Sequence, residues 1–542
     1  MNLEELNERQ REAVLYNDGP LLIIAGAGAG KTKTLTTKIA YLIEKKNVAP
    51  ENILAITFTN KAAKEMKDRL FKTIGQTAKY LQVSTFHSFG LKLLRENYDA
   101  LGYDKNFVIM DSDDSLTVVK KIIKDIGYDP KIYNPRAIRN KISSCKNEMT
   151  SPEAYEKYAA SDFEKVVQEV YAKYEKKLQR NNSVDFDDLL LLPIELFKKN
   201  PDILNKYQDL YQYILIDEYQ DTNEAQYILT KMLSAKNRKI TCVGDDSQSI
   251  YSFRGANYKN ILNFEKDYKD AKTILLEQNY RSTSNILDAA NQVIKNNKMR
   301  KDKNLWTSRG IGEKIKYYRA YNERDEAQYV IRKIKELTNR NVEYKDIAVL
   351  YRTNAQSRVL EEEMLKENLP YRVIGSFYFY SRKEIKDLIA YLRLIHNSKD
   401  NVSLLRVINT PKRGIGLKTI ENLTIQADAM GVSIYEAISS GKELEFKNLI
   451  EKLKEMSKDL TLTELIDKVL EASGMKKELE DEKTLEAEVR LENLEEFKSI
   501  TKTFEEREGL ISLEDFLLEI SLISDVEEYK DDPNRISLMT VH

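Results

Sequence analysis

Cysteine is scarce in this sequence, since its 542 residues include only Cys145 and Cys242. The two do not form a CxxC pair, and they are too few for a disulfide framework of the kind that small secreted domains use. This scarcity favours a reducing, cytoplasmic location.

Long apolar runs are also missing, and no stretch approaches the about 20 residues of a membrane-spanning helix. The N-terminal stretch MNLEELNERQ is polar and acidic, unlike a signal peptide. We therefore expect no membrane partner.

An excess of charge is absent as well, because 86 Lys and Arg residues nearly balance 87 Asp and Glu residues. The net charge does not indicate a nucleic-acid partner, so such a partner would need local binding features. The chain is 42% hydrophobic and 32% charged, which is typical of a globular protein, and its length predicts roughly three or four domains.

What is present begins with LLIIAGAGAGKTKTL, residues 21–35. A short apolar strand, a loop of small residues and a helix form the context of a phosphate-binding P-loop. The backbone N–H groups of this loop would wrap phosphates, Lys31 would reach the β- and γ-phosphates, and Thr32 would ligate Mg²⁺. The strict pattern would have Gly at position 25, where this chain has Ala25. The predicted nucleotide-binding residues of this segment are Ala25, Gly26, Ala27, Gly28, Ala29, Gly30, Lys31, Thr32 and Lys33.

A second candidate for the same site is YQYILIDEYQDTN, residues 211–223. Its apolar strand ends in Asp217 and Glu218, where a Walker-B acid lies in nucleotide hydrolases. Asp217 would hold Mg²⁺, and Glu218 would orient and deprotonate the attacking water. The alternative is an ordinary acidic loop, which the pairing with a P-loop disfavours.

Three further segments supply residues for an adenosine triphosphate. Gln10 lies before the P-loop and can both donate to and accept from adenine, although it could be an ordinary exposed helix residue. Gln248 follows a third strand and is placed to sense the γ-phosphate. Tyr280 could stack on adenine, and Arg281 could stabilise the transition-state charge as an arginine finger.

Several long motifs occur together in one order. They are AGAGAGKT, AITFTNKAAKEMKDRL, STFHSFG, DFDDLL, ILIDEYQDTN, VGDDSQSIYSFRGA, LEQNYRS, VLYRTNAQSR and TPKRGIG. The sequence resembles the superfamily 1A DNA helicases of the PcrA/UvrD/Rep type from Asn7 to His542, and Ala25 matches that family's version of the P-loop.

The resemblance implies an α/β fold with two RecA-like P-loop motor domains, each a parallel sheet flanked by helices and carrying a mostly helical insertion. The implied divisions are a first motor domain at 1–108 and 190–283 with an insertion at 109–189, and a second motor domain at 284–385 and 531–542 with an insertion at 386–530. The strands of the second motor domain are expected in IKYYRAYN and DIAVLYRTN, with the helix RDEAQYVIRKIKELTNR between them.

The family's activity would be ATP-dependent, Mg²⁺-dependent 3′-to-5′ movement on single-stranded DNA, with unwinding at junctions of single and double strands. Lys31, Glu218, Gln248 and Arg281 would be catalytic, and Thr32 and Asp217 would hold the metal. The protein is expected to act as a monomer in DNA repair or replication, with accessory proteins of those pathways as partners.

DNA contacts are expected from aromatic and helix-start residues, because aromatic rings stack on any base and helix N-termini accept phosphates. The expected contacts are Phe58, Thr59, Asn60, His87, Tyr251, Phe253 and Arg254. Phe86 is expected in the core instead.

The acids in SVDFDDLLLL, residues 183–192, allow two interpretations. Asp185, Asp187 and Asp188 could bind a metal. The favoured interpretation is that Ser183 or Asp185 caps a helix and that the acids favour its first turn.

The C-terminal RISLMTVH predicts a strand at which the chain stops, whereas the family continues into further motifs. The expectation is a truncated helicase that binds ATP without efficient unwinding. Two alternatives remain open: the motor part of a helicase–nuclease subunit, and a non-motor regulator that binds ATP and DNA. A GTPase is disfavoured, because TNKA at 59–62 lacks the Asp of a guanine-reading NKxD motif.

Overall fold

A computed structural model describes residues 3–252, 255–298, 300–353, 356–374, 380, 382–482, 484–508, 512–522 and 534–541. The chain divides into two compact units. The first, called the motor unit here, comprises Met1–Phe86, Phe197–Ser376 and Ser524–His542. The second, called the helical unit, comprises His87–Leu196 and Phe377–Ile523.

The strands of the described residues are short. They are β1 Leu21–Ala25, β2 Ile53–Thr57, β3 Gln82–Thr85, β4 Val108–Met110, β5 Ser183–Asp185, β6 Tyr213–Ile216, β7 Ile240–Gly244, β8 Lys272–Leu276, β9 Ala348–Tyr351, β10 Tyr371–Val373 and β11 Ile536–Thr540.

Helices account for most of the remaining structure. They are α1 Glu8–Leu15, α2 Lys31–Lys46, α3 Asn60–Ile74, α4 Phe86–Glu96, α5 Ser112–Asp125, α6 Pro135–Asn147, α7 Pro152–Glu156, α8 Asp162–Arg180, α9 Asp188–Lys199, α10 Pro201–Leu210, α11 Glu224–Ser234, α12 Lys259–Asp267, α13 Ser284–Ile294, α14 Glu323–Thr338, α15 Ser357–Lys366, α16 Lys383–His396, α17 Asn401–Val407, α18 Leu417–Met430, α19 Ile434–Ala437, α20 Gly441–Met456, α21 Leu462–Ser473, α22 Met475–Glu482, α23 Leu485–Glu508 and α24 Leu513–Leu522. No helix in the described part of the chain is both long and apolar enough to cross a membrane.

The main sheet of the motor unit has six parallel strands in the order β3-β2-β6-β7-β1-β8. Every residue of β1, β2 and β7 is buried, as a parallel sheet covered on both faces requires. Because β1 lies between β7 and β8, the loops that follow these three strands meet at the carboxyl edge of the sheet. That edge holds the candidate nucleotide site, and the predicted α/β class with parallel sheets and flanking helices is confirmed.

A second parallel sheet of the motor unit has the order β10-β11-β9. Ile536 and Leu538 of β11 are fully buried against Ile331 of α14 and Met364 of α15. The predicted strand in DIAVLYRTN and the predicted helix that precedes it are confirmed as β9 and α14.

The predicted strand in IKYYRAYN is wrong, because residues 315–322 adopt no regular secondary structure. Tyr317 is 86% exposed and Tyr321 is 98% exposed. A strand needs a neighbour for its backbone N–H and C=O groups, and neither described sheet of this unit takes up the segment. Tyr318 instead stacks on Tyr329 of α14, with ring centroids 4.0 Å apart.

Among the described residues, the helical unit packs its helices around three apolar clusters. One cluster is built on α5, α6 and α8, and a second surrounds α16, whose residues 388–395 are all buried. The third joins α4 to β4, β5 and α9. β4 and β5 form a small parallel pair beside the first cluster. Asp185 is the last residue of β5, Asp187 follows it, and Asp188 begins α9.

Candidate functional site

The loop between β1 and α2 forms the floor of the site. Gly30 is the N-cap of α2 in the left-handed region, at φ +79°, and no side chain caps this helix start. Gly28 is also left-handed, and a Cβ at position 28 would lie 2.7 Å from Asn279 Nδ2. The small residues therefore leave the first N–H groups of α2 available to an anion, as phosphate binding requires.

The P-loop and the acids after β6 meet although they are far apart in sequence. Lys31 Nζ donates to Glu218 Oε2 at 2.8 Å, and Thr32 Oγ1 donates to Asp217 Oδ2 at 3.3 Å. The Thr32 and Asp217 oxygens form the hard-oxygen pair that Mg²⁺ prefers, so the residues fit a magnesium nucleotide. A nucleotide phosphate would take the place of Glu218 as the anion that Lys31 binds.

The two acids differ in environment. Burial, with the nearby Glu218, raises the pKa of Asp217 to about 6, so a divalent cation here would relieve an unfavourable charge. Glu218 adopts a left-handed backbone at φ +51°, which is uncommon for a residue with a Cβ and is found at functional sites. Its side chain is 37% exposed, so its carboxylate can reach a ligand.

Gln10 lies beneath the P-loop rather than on the surface. Its Nε2 donates to the Ala29 carbonyl at 2.9 Å, and its Oε1 accepts from Asn7 N–H at 3.2 Å in a capping box of α1. The residue is 2% exposed, so the alternative of an ordinary exposed helix residue is wrong. Its contact with adenine stays a prediction.

Tyr280 and Arg281 follow β8 beside the P-loop. Tyr280 is 43% exposed, and its hydroxyl accepts from Asn7 Nδ2 at 2.8 Å, which places Tyr280 near Gln10. The Tyr280 N–H donates to the Gly28 carbonyl at 2.9 Å. Arg281 is exposed at the same loop.

Asn279 is a site residue that sequence reasoning missed. It is 2% exposed, and its Nδ2 donates to the Ala27 carbonyl at 2.5 Å. Its Oδ1 accepts from the N–H groups of Arg281 and Ser282 at 2.8 and 2.7 Å. This Asx turn joins the P-loop to the segment that carries Arg281. An Asn two residues before Arg281 was the available signal, because Asn favours such turns.

Gln248 follows β7, as predicted from sequence, and its Nε2 donates to the Asp245 carboxylate. A second missed residue, Gln220, connects this segment to the acids after β6. Gln220 accepts from Asp245 N–H at 2.9 Å and donates to Glu218 Oε2 at 2.9 Å. The sequence DEYQD did not indicate that Gln220 connects the two segments, because its partner Asp245 is distant in sequence.

Two of the expected DNA contacts lie together. The rings of Phe58 and Tyr251 have centroids 4.9 Å apart, and both residues are partly buried. Thr59 caps α3 by accepting from Ala62 N–H at 3.1 Å, and Asn60 is the first residue of that helix. The expected contacts Phe253 and Arg254 lie outside the described residues.

His87 belongs to the helical unit, where its ring stacks on Phe186 at a centroid distance of 4.0 Å. Burial lowers the pKa of His87 to about 4, so the imidazole is neutral at pH 7. Phe186 is 41% exposed and was not among the predicted contacts. Phe86 is 3% exposed, as expected for a core residue.

The acids of SVDFDDLLLL form a charge cluster closed by a lysine. Lys146 Nζ lies 2.8 Å from Asp185, 2.7 Å from Asp188 and 2.8 Å from Glu175. Asp188 N–H donates to Asp185 Oδ1 at 2.9 Å, which is the helix-capping arrangement for α9. In the described ranges no group of three or more His, Cys, Asp and Glu side chains is arranged to hold a metal. The buried ammonium occupies the place that a metal would take.

Comparison with known proteins extends over the whole chain. The family model of the UvrD/REP helicase N-terminal domain matches residues 6–269, and that of the UvrD-like helicase C-terminal domain matches residues 274–542.

Curated relatives are similar over the same length. The ATP-dependent DNA helicase PcrA of Staphylococcus aureus is 48% identical over 553 residues, and that of Bacillus subtilis is 49% identical over 558 residues. The PcrA of Staphylococcus epidermidis is 47% identical over 553 residues. In each case the alignment covers 100% of this chain and 76% of the relative. Every residue of the chain is aligned, and the expectation of a truncated chain finds no support in these matches.

Proposed function

The chain belongs to the UvrD/Rep family of ATP-dependent DNA helicases, and from that membership we propose that it moves 3′ to 5′ along single-stranded DNA and separates strands. The observation that carries the proposal is the meeting of the P-loop with the acids after β6. Lys31 bonds to Glu218 and Thr32 bonds to Asp217 across 187 and 185 residues of sequence. A merely structural P-loop would not need both pairs.

In the proposed reaction, Lys31 leaves Glu218 and binds the β- and γ-phosphates of ATP. Thr32 and Asp217 would hold Mg²⁺, which would neutralise phosphate charge when bound. Glu218, released from Lys31, orients a water molecule and accepts its proton as the water attacks the γ-phosphorus. The bond between the γ-phosphorus and the oxygen that it shares with the β-phosphate breaks, and ADP leaves with that oxygen and its electron pair. Arg281 stabilises the charge that develops on the γ-phosphoryl group and on the leaving oxygen of ADP.

Recognition of the base and of the γ-phosphate involves three further residues. Gln10 and Tyr280 bind adenine at the Asn7 side of the P-loop. Gln248, held on the Asp245 carboxylate, senses the γ-phosphate. Asn279 positions Arg281 through its Asx turn.

We propose that DNA binds by stacking rather than by base-edge hydrogen bonds, which suits a motor that must tolerate every sequence. The Phe58–Tyr251 pair offers one stacking face, and Thr59 and Asn60 at the start of α3 offer a phosphate contact. His87, with Phe186, offers another aromatic face. Phe253 and Arg254 remain part of the proposed interface.

The proposed organisation keeps the four divisions inferred from sequence, with two RecA-like motor domains that each carry a helical insertion. We propose a cytoplasmic location, which the free cysteines Cys145 and Cys242 support. A monomer that meets repair or replication proteins at single/double-strand junctions is also part of the proposal.

The test is ATP hydrolysis by this chain with and without single-stranded DNA, followed by unwinding of duplexes with either a 3′ or a 5′ tail. The proposal expects DNA-stimulated turnover and unwinding only from the 3′ tail. Tight binding of ATP and DNA without turnover, in folded protein, would contradict the motor and favour a non-motor regulator. Unwinding only from the 5′ tail would contradict the polarity.

A further inference from the structure

Residues 301–306, which we call the clip segment, follow α13 and contact three loops of the nucleotide site. These loops are the P-loop after β1, the sensor loop at residues 245–248 after β7, and the finger loop at residues 277–281 after β8. The clip segment lies outside all of the sequence motifs from which the nucleotide site was predicted.

The contact with the sensor loop is a buried ion-pair cluster. Lys303 Nζ lies 2.5 Å from Asp245 Oδ1, pairs with Asp246 Oδ1 and donates to Ser247 Oγ at 3.1 Å. The side chains of Lys303, Asp245 and Asp246 are 4%, 3% and 0% exposed. Two adjacent buried carboxylates need a counter-charge, and Lys303 is that charge.

The contact with the P-loop is steric. A Cβ at Gly26 would lie 2.1 Å from Leu305 Cδ2, so the leucine side chain rests directly on the backbone of the P-loop. Asn291 of α13 fixes the backbone of Leu305, because its Nδ2 donates to the Leu305 carbonyl at 2.9 Å. The base of the P-loop is thereby held against the clip segment.

The contact with the finger loop runs along the backbone. Asn304 N–H donates to Glu277 Oε1 at 2.8 Å, and Trp306 N–H donates to the Glu277 carbonyl at 3.2 Å. Asn279 N–H donates to the Trp306 carbonyl at 2.7 Å. Asn279 is the residue that positions Arg281, so the clip segment also supports the finger.

Asp245 connects Lys303 to Gln248. The Asp245 Oδ1 atom pairs with Lys303, while its Oδ2 atom accepts from Gln248 Nε2. The Gln248 N–H also donates to the Asp245 carbonyl at 2.9 Å. A shift of the Asp245 carboxylate would therefore shift the amide of Gln248.

We propose that Lys303 is a positioning residue for the γ-phosphate sensor, acting on Gln248 through Asp245 and tying the sensor loop to the P-loop and the finger loop. The proposal rests on the proposed function, because it assumes that Gln248 senses the γ-phosphate. Lys303 itself contacts neither nucleotide nor DNA in this role.

Two variants separate positioning from charge balance. Lys303→Met leaves two buried carboxylates without a counter-charge and risks unfolding. Lys303→Met combined with Asp246→Asn keeps the summed charge of the cluster, because one cation and one anion are removed together. The amide oxygen that Asp246→Asn introduces can still accept the hydrogen bond that Lys301 N–H donates to Asp246.

The matched control is Lys301→Met. It removes a lysine from the same segment, but the Lys301 ammonium pairs with Glu265 at 2.8 Å and not with the sensor loop. All variants are first checked by thermal unfolding.

The first readout is the ratio of the dissociation constants for Mg·ADP and for a non-hydrolysable Mg·ATP analogue, since only the analogue has a γ-phosphate. In the double variant this preference for the analogue is expected to fall about tenfold, the effect of one misplaced hydrogen-bond donor to a charged group. The affinity for ADP should stay within about twofold, because no ADP-binding residue has changed.

The second readout is amide hydrogen exchange over residues 245–252 without nucleotide, which does not depend on binding. The double variant should exchange faster there and not in the P-loop peptide. A folded double variant that keeps both the analogue preference and the protection would overturn the proposal, and so would an equal loss in Lys301→Met. If wild-type protein binds neither nucleotide, the proposed function fails while the exchange experiment still decides the role of Lys303.

Discussion

Two runs of acids lie at the ends of short buried strands in this protein, and they differ in the partners that they bond. In the motor unit, Asp217 and Glu218 follow β6 and bond to Thr32 and Lys31 at an open helix start. In the helical unit, Asp185 at the end of β5 and Asp188 at the start of α9 bond to Lys146, whose side chain is 0% exposed. A run of acids is therefore a candidate ligand site where the lysine that it bonds can also bind a ligand, as Lys31 can at the P-loop. The side chain of Lys146 is fully buried, so a ligand cannot reach it.

The electrostatics follow from the partner. Burial, assisted by Glu218, leaves Asp217 with a pKa raised to about 6. In the helical unit, the Lys146 ammonium and several hydrogen bonds outweigh burial at Asp185 and lower its pKa, whereas burial and the neighbouring Asp185 raise the pKa of Asp188. The two sites therefore differ in their bonded partners, because Asp185 and Asp188 both bond to a buried ammonium and Asp217 bonds to the Thr32 hydroxyl.

The largest effect expected from this contrast is in catalysis. Glu218→Gln should lower DNA-stimulated ATP turnover by roughly 10²- to 10⁴-fold, because it removes the proposed general base while keeping the shape of the side chain. Steady-state hydrolysis and analogue binding measure this, and binding should survive. Glu51→Gln, at an exposed acid of the same unit, is the control and should keep its turnover. Near-normal hydrolysis by Glu218→Gln would remove that residue from the reaction.

The next effect is on stability. Lys146→Met should cost about 3 kcal/mol in the free energy of unfolding, because it leaves buried carboxylates unpaired. Urea unfolding followed by circular dichroism measures the loss, with the exposed Lys157→Met as the control. If both variants unfold at the same urea concentration, the cluster in the helical unit does not stabilise the fold.

The smallest effect is a pH dependence confined to the motor unit. Below pH 6 the Asp217 carboxyl takes up a proton, so affinity for a magnesium nucleotide should fall by about tenfold per pH unit, and Asp217→Asn should remove the dependence. Folding raises this pKa above its ordinary value of 3.8, so proton uptake between pH 6 and 3.8 favours the folded state. Protonation of Asp217 therefore does not unfold the protein, and the expected loss of nucleotide affinity at low pH has to come from weaker magnesium binding. Constant wild-type affinity from pH 7 to 5 would contradict the assignment of Asp217.

The elements that could be predicted from the sequence are those that depend on residues close together in the chain. The P-loop was recognisable because strand, small-residue loop and helix are contiguous, and α14 and β9 were found from their own periodicity. The strand expected at 315–322 failed because a strand depends on a neighbour that its own sequence does not specify. Asn279 and Gln220 were missed for the same reason, since their partners at Ala27 and Asp245 are distant in sequence.

The sequence by itself determined which groups the protein has for its chemistry, namely the glycines and Lys31 of the P-loop and the acids at the strand ends. Only the tertiary structure decided which cation meets which carboxylate. Lys31 reaches Glu218 across 187 residues, Lys146 reaches Asp188 across 42, and Lys303 reaches Asp246 across 57. Burial makes each of these ion pairs necessary, because a charge that is removed from water costs free energy unless an opposite charge lies next to it in the fold. The position of that partner along the chain does not matter.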